Sequence, residues 1–382
     1  MARIRMLHMH STFDLGGKEA RTAKLMNHFG DEAEHVILVG DNTALSARDA
    51  IEQHVKVDFP GDAAPSLMGL PGPRRYVDLG KYMKQFDLIL TYNWGAMDGV
   101  MAHALLGKIM GLPPLIHHED GFNEDEADKL NWKRNWFRVA GLLGSHALVV
   151  PSQILENIAR TIWKLPAKKI HRFDNGVDIA RYIVPPQGDA FPGLSRNTGD
   201  VIVGTVAGLR TVKNLPRLVR AVAKAGSNMR LAIAGTGPER DAIIAEAKRV
   251  GIADRLIMPG FLTDPARYIG LFDIFALSSD SEQYPISLVE AMAAGCAVAA
   301  TDVGDIRNMV CAKNRDYIVP RDDEAAFADA IHRLASDVNL RKELGAANAE
   351  RAQAEYDESV MFAAYRKLYG GAMNRADFAR QI

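Results

Sequence analysis

Short apolar runs alternate with longer patterns of helical period along the whole chain. The runs predict strands at Ile4–Met9, Glu34–Val39, Leu88–Tyr92, Leu115–His118, Ala147–Val150, Val201–Ala207, Met229–Ala234, Leu256–Pro259, Ile274–Leu277, Ala297–Ala300 and Asp316–Val319. Between them, apolar positions at helical spacing predict helices at Lys18–Phe29, Asp98–Met110, Leu215–Ala225, Pro238–Val250, Ser287–Ala294, Glu324–Ala335 and Leu340–Ala352. Strand and helix in regular alternation imply parallel sheets with helices on both faces.

The alternation breaks in one Pro-, Gly- and polar-rich stretch, read as a linker at residues 186–200. It separates a Rossmann-like half, residues 1–185, from a second at 201–355. Doubly wound sheets bind ligands at the carboxyl ends of their strands, so two such sheets facing each other would enclose a cleft.

A chain of 382 residues suits two domains, and 48% hydrophobic with 24% charged residues describes a globular protein. A formal net charge of −1 argues against nucleic acid as a partner. Two cysteines, Cys296 and Cys311, exclude a secreted disulfide framework. The first ten residues carry no signal-peptide core, and no run reaches the roughly 18 apolar residues of a membrane span. A cytoplasmic location is expected.

Chemistry concentrates where predicted strands end. After Ile274–Leu277 the chain reads Glu282-Gln283-Tyr284-Pro285-Ile286-Ser287-Leu288-Val289-Glu290. Pro285 disfavours helix at Tyr284, so a helix is expected to begin near Ile286 or Ser287, with Ser287 as N-cap. Its first-turn N–H groups would suit a phosphate. Glu290 would clamp vicinal hydroxyls, and Glu282 lies on the preceding loop. Taken alone, two such glutamates are more readily read as a solvated loop acid, Glu282, and a helix-face acid, Glu290, paired with a neighbouring cation.

Three further loops sit at strand ends in the second half. Gly208-Leu209-Arg210-Thr211-Val212-Lys213 places a planar and a point cation where a diphosphate could be neutralised. Gly235-Thr236-Gly237 allows close backbone approach, but Arg240 stands where a dinucleotide fingerprint needs its third glycine. Phe261 leaves a fourth strand end. In the first half, Gly16 and Gly17 precede a helix, and His117-His118-Glu119-Asp120 ends a strand. Neighbouring strand side chains point to opposite faces, so a metal site is not expected there.

The Glu282 to Glu290 segment strongly resembles the E-x7-E element of retaining family 4 glycosyltransferases of the GT-B fold. The Gly208–Asn214, Gly235–Pro238 and Pro259–Leu262 loops match the same family in order, as do Gly16-Gly17-Lys18-Glu19, Val150-Pro151-Ser152 and Asn175-Gly176-Val177-Asp178. The resemblance implies an α/β GT-B fold of two Rossmann-like domains. The amino-terminal domain would take the acceptor and be completed by a carboxy-terminal helix at about 356–382. The carboxy-terminal domain would take a nucleotide-sugar donor.

It further implies retaining transfer of a hexosyl unit from a nucleotide-diphosphate sugar, most readily a UDP-sugar, to a glycan or lipid-linked acceptor in envelope polysaccharide or glycolipid synthesis. No obligatory metal or other cofactor is expected. His118, in preference to His117, with Glu282, Arg210 and Lys213, would be catalytic. Gly16, Gly17, Gly208, Gly235, Gly237, Phe261, Tyr284, Pro285, Ile286, Ser287, Leu288 and Glu290 would bind the donor.

Two departures touch the donor side. Gly304-Asp305-Ile306-Arg307-Asn308 replaces a common Gly-Gly-x-Pro-Glu, and Asn314-Arg315-Asp316 replaces a glycine-containing turn. A nucleotide-sugar 2-epimerase or a nonhydrolytic sugar-nucleotide binding protein are the competing readings. Between Lys129 and Arg172, nine cations face one acid, Glu156, with Trp132, Trp136, Phe137 and Trp163 interleaved. Such a segment suits an anionic membrane surface, or else packs its aromatics inward and solvates its cations.

Overall fold

The structure, a computed structural model, describes residues 3–122, 126 and 130–380. The chain divides into two compact units: residues 1–174 with 361–382, and residues 175–360.

The first unit contains β1 (Ile4–His10), α1 (Gly17–Phe29), β2 (Ala33–Val39), β3 (Lys56–Asp58), α2 (Pro73–Met83), β4 (Leu88–Tyr92), α3 (Met97–Met110), β5 (Leu115–His118), α4 (Trp132–Leu142), β6 (Ala147–Val150), α5 (Gln153–Thr161) and β7 (Ile170–Arg172). Its seven strands are parallel in the order β3-β2-β1-β4-β5-β6-β7. The order reverses direction between β1 and β4, which marks the place where such a sheet takes ligands.

The second unit contains α6 (Ile179–Ile183), β8 (Val201–Val206), α7 (Leu215–Ala225), β9 (Met229–Ala234), α8 (Arg240–Arg249), β10 (Leu256–Gly260), β11 (Ile274–Leu277), α9 (Ile286–Ala293), β12 (Ala297–Thr301), α10 (Ile306–Met309), β13 (Ile318–Val319), α11 (Glu324–Ser336) and α12 (Val338–Glu355). Its sheet runs β10-β9-β8-β11-β12-β13, again all parallel, with its switch between β8 and β11. Both faces of a parallel sheet are covered, so its strands read as continuous apolar runs; all of β11 and β12 is buried.

From α13 (Glu358–Ala372) and α14 (Ala376–Arg380) the chain re-enters the first unit. Met361, Tyr365, Tyr369, Ala372 and Phe378 pack with Ile4, Met6, Leu88 and Leu90 in one buried cluster.

Several elements differ from the expectations. The three-residue edge strands β3 and β7 carry too little pattern to register. Helices α2, α4 and α5 were also absent from it. The strand expected at Asp316 begins only at Ile318, after a 3₁₀ turn over Ala312–Tyr317.

The stretch read as a linker packs on the second unit. Phe191 is buried edge-on against Tyr268 and Phe272, with ring centroids 5.6 and 5.7 Å away. Gln187 accepts from Arg267 at 2.6 Å. Contacts instead divide the units at Asp174 and Asn175. A Pro- and Gly-rich composition rules out regular structure but says nothing of packing.

The substituted turn at Asn314 has a local use. Its buried side chain accepts from the Val298 amide at 3.0 Å and donates to the Val298 carbonyl at 2.7 Å. Asn348 of α12 donates to Asn314 Oδ1 and to the Cys296 carbonyl, and accepts from the Cys311 amide. This satisfied amide network ties β12, the turn and α12 together.

Candidate functional site

At the carboxyl edge of the second sheet, the loops after β8 and β11 meet at the switch point. Asn214 donates to Asp280 at 3.0 Å, Arg217 pairs with Asp280 at 2.8 Å, and Ser278 Oγ donates to the Lys213 carbonyl at 3.0 Å. These bonds seat Lys213 so that its ammonium lies 2.5 Å from Glu282 Oε1. Ser279 Oγ donates to the same oxygen at 2.7 Å. The Lys213 and Glu282 side chains are only 14% and 9% exposed. A pair this sheltered is weakly screened. Arg210, one turn earlier, is exposed.

The glycines of the neighbouring loops serve packing of loop on loop. A Cβ at Gly235, whose φ is +145°, would collide with the Ala207 carbonyl. One at Gly237 would strike the Leu209 carbonyl, where φ is +156°. Leu209 N in turn donates to the Thr236 carbonyl at 2.9 Å and Glu239 N to the Leu209 carbonyl at 3.1 Å. Gly208 is exposed beside them, and Phe261 is exposed beyond β10.

The helix after Glu282 starts at Ile286 with Pro285 as its N-cap, in extended backbone at φ −71°, ψ 110°. Ser287 is therefore inside the first turn and caps nothing. Proline supplies the cap geometry but no side-chain acceptor, and the Leu288 N–H donates to the Pro285 carbonyl at 3.1 Å, which leaves the Ile286 and Ser287 N–H groups for another partner. Tyr284 and Leu288 are buried with the core around Val289 and Met292, so the Leu288 side chain is structural. Ile286 and Ser287 are half-buried. Glu290, one turn into α9, accepts from the Tyr182 hydroxyl at 3.0 Å. Tyr182 of α6 was not among the expected site residues, because 108 positions separate it from Glu290.

Gly304 also belongs here. Its φ of +59° and a Cβ position filled by the Glu282 carbonyl require glycine. The altered turn after β12 thus still packs on the Glu282 loop.

In the first unit, Gly16 caps α1 and Gly17 begins it. Arg21 of α1 holds Asp120 in a two-pronged pair at 2.5 and 2.8 Å, and Lys18 pairs with Glu19. Burial pushes the Lys18 ammonium down to about 8. Asp120 N donates to Asn93 Oδ1 at 2.7 Å, which joins the ends of β4 and β5.

His118 is not at this edge in a form open to a ligand. It is buried, stacked on Tyr92, and both ring nitrogens are engaged. Nδ1 lies 3.2 Å from the Thr91 carbonyl and so carries the proton; Nε2 accepts from Tyr369 at 2.9 Å. Desolvation pushes its pKa down to about 3, which keeps it neutral. His117 is equally buried, 2.9 Å from Thr91 Oγ1. The catalytic role expected of His118 is corrected to a core position under the returning helix α13. Among the described residues no group of three or more His, Cys, Asp or Glu side chains is placed to hold a metal ion.

The basic segment also sorts differently from the expectation. Arg138 is buried between Glu119 and Glu126, at 3.1 and 3.3 Å, and its guanidinium lies 5.1 to 5.4 Å from the Trp94, Phe122 and Trp163 rings. Its acids precede the segment, which is why a count within it found only Glu156. Trp163 is buried too, whereas Trp132 and Trp136 are 66% and 69% exposed. Lys129 lies outside the described residues.

The family described as Glycosyltransferase Family 4 matches residues 8–181, and that described as Glycosyl transferases group 1 matches residues 187–351. The chain belongs to the family 4 glycosyltransferases. It is 25% identical to the N-acetyl-alpha-D-glucosaminyl L-malate synthase of Bacillus anthracis over 276 residues, 72% of this chain and 71% of that one. It is 28% identical over 144 residues to an N-acetylgalactosamine-N,N'-diacetylbacillosaminyl-diphospho-undecaprenol 4-alpha-N-acetylgalactosaminyltransferase of Campylobacter jejuni, 37% of this chain and 40% of that one. The crystal structure of Anabaena HepE in complex with UDP superposes with a TM-score of 0.78 at 17% identity, covering 96% of this chain and all of the other. The fold of this glycosyltransferase is GT-B.

Proposed function

We propose that this glycosyltransferase moves a hexosyl unit, with retention, from a UDP-sugar to a hydroxyl of a glycan or lipid-linked acceptor in envelope polysaccharide or glycolipid synthesis. The observation that carries the reading is the convergence of Lys213, Glu282 and the α9 N-terminus at the switch point of the second sheet. Arg210 stands on the same loop as Lys213. HepE, which shares the fold, was crystallised with UDP, and the Campylobacter relative is named for a diphospho-undecaprenol acceptor.

Arg210, Lys213 and the first turn of α9 at Ile286 and Ser287 would neutralise the diphosphate, whose departing charge is the main burden of the transition state. Lys213 would then share its ammonium between Glu282 and phosphate. Glu290 would hold the ribose hydroxyls, Glu282 the hydroxyls of the transferred sugar, and the Gly208, Gly235 and Phe261 loops the rest of the nucleotide. Gly16 and Gly17 would bring α1 backbone N–H groups toward anionic substrate. The acceptor oxygen would attack from the face the diphosphate leaves. No obligatory divalent metal enters this scheme.

A panel of UDP-, GDP- and ADP-sugars tests it. One donor is expected to raise the melting temperature and to be slowly hydrolysed at a rate unchanged by EDTA. A rate abolished by EDTA removes the metal-independent scheme, and tight binding without turnover in the presence of acceptors favours a binding protein.

The acceptor reading extends to a membrane surface. No helix among the described residues is long and apolar enough to cross a bilayer. Helix α3 packs through Val100 on Gly141 of α4 and through Ala104 on Gly144 just beyond its end. Leu105, Ile109, Trp132, Trp136 and Leu143 are exposed on and beside these helices, as are Lys108 and Lys133, while Lys169 donates to the Leu143 carbonyl at 2.9 Å. Exposed Trp, Leu and Lys fit the interface of an anionic cytoplasmic leaflet. The Trp132→Ala, Trp136→Ala double variant is expected to lose most co-sedimentation with vesicles containing phosphatidylglycerol while keeping its melting temperature. Undiminished co-sedimentation would remove this face from the reading.

A further inference from the structure

We propose that Tyr182 is a positioning residue for Glu290, and that through Glu290 it sets the requirement for an intact ribose in the donor. The inference rests on the reading of Glu290 as the ribose clamp. Tyr182 belongs to a short helix held in place from both sides. Ile179 is buried in the second unit's core, and Arg181 pairs with Asp264 at 2.6 Å. Between these anchors the Tyr182 ring packs against the cluster that contains Leu288 and Val289, the residues on which α9 turns its inner face. The helix that carries the ring and the helix that carries the carboxylate are thus fixed to the same core.

From that seat the Tyr182 hydroxyl donates to Glu290 Oε1 at 3.0 Å. A carboxylate offers about four acceptor positions in one plane, and a vicinal diol needs two of them at a defined tilt. Glu290 is unbranched, so a bond that fixes its carboxylate plane removes rotamer freedom before the diol arrives. Burial, and then the carboxylate itself, raise the Tyr182 pKa, so the phenol stays a donor throughout the working range. Tyr268 reinforces the same environment. Its hydroxyl is buried without a hydrogen-bond partner and its pKa is raised by burial and by the Glu290 charge.

The experiment compares UDP with 2′-deoxy-UDP by calorimetry on the wild-type protein, Tyr182→Phe and Glu290→Ala. Phenylalanine keeps the ring and its packing, so melting temperatures within a few degrees of wild type are expected. The wild type should prefer UDP by at least tenfold. Tyr182→Phe should weaken UDP by about tenfold and 2′-deoxy-UDP by less than threefold, and Glu290→Ala should abolish the preference. A role confined to packing would weaken both nucleotides equally, which overturns the inference. If Glu290→Ala loses the preference but Tyr182→Phe keeps it, the inference alone falls. If the wild type binds neither nucleotide, or Glu290→Ala keeps the preference, the ribose-clamp reading fails and takes this inference with it.

Discussion

Replacing Lys213 by alanine is expected to lower kcat by two to three orders of magnitude, about 3–4 kcal/mol of transition-state stabilisation. The ammonium is a sheltered cation at the switch point of the second sheet, 14% exposed, and in the proposed scheme its charge meets the leaving diphosphate. The same substitution should cost stability. It leaves Glu282 with the Ser279 hydroxyl and without its cation at a side chain only 9% exposed. Breaking a fully buried pair costs roughly 3–5 kcal/mol, and the partial access here places the expected loss below that range.

The two effects separate in the double variant Lys213→Ala, Glu282→Gln. Removing the orphaned charge should restore most of the melting temperature and none of the activity. Turnover and thermal unfolding of the two variants check this together. A single variant with wild-type turnover would take Lys213 out of the reaction, whatever its stability.

Acid should destabilise the first unit over a defined window. His35 and His118 are held neutral by burial, with pKa values lowered to about 4 and about 3. His8 and His10 are pushed well down for the same reason, with neighbouring cations and histidines adding to it. An unfolded histidine takes a proton near pH 6.5, so between there and pH 4 the unfolded chain binds more protons than the folded one. The stability is complete above pH 6.5 and is lost as pH falls. At pH 5, His35 and His118 each account for on the order of 2 kcal/mol.

All four tryptophans, Trp94, Trp132, Trp136 and Trp163, belong to the first unit, so tryptophan fluorescence reports its unfolding selectively. The denaturant midpoint followed this way should drop steeply from pH 7 to pH 5. A flat midpoint over that range would mean that burial does not keep His8, His35 and His118 neutral.

How much of this was legible beforehand depends on chain distance. Glu282 and Glu290 are nine positions end to end, with a proline between, so their loop and helix placement followed from local backbone rules. Ser287 failed as an N-cap because Pro285 can hold the cap conformation itself. The role expected of Gly235 and Gly237 was close approach to a ligand, whereas the neighbours they meet are the Ala207 and Leu209 carbonyls. Nothing local distinguishes those two cases, since both need a missing Cβ.

Arg138 and His118 mark a different limit. Each was assigned by its residue type and its neighbours in the chain, and each proved to be buried. Arg138 is neutralised by Glu119 and Glu126, and His118 is capped by Tyr369, 251 positions away. A charge or ring goes inside when partners arrive from other elements, and hydropathy patterns do not record those arrivals.

The alternation of strand and helix, the two doubly wound halves and the loops that stand at strand ends are all readable along the chain. Each of these follows from side-chain period and backbone restriction over a few residues. That Lys213 closes on Glu282 across 69 positions, that Tyr182 reaches Glu290, and that His118 turns into the core follow from packing alone. These are pairings between side chains on separate strands and helices, and they exist only once the parallel sheet order has brought distant loops to one edge.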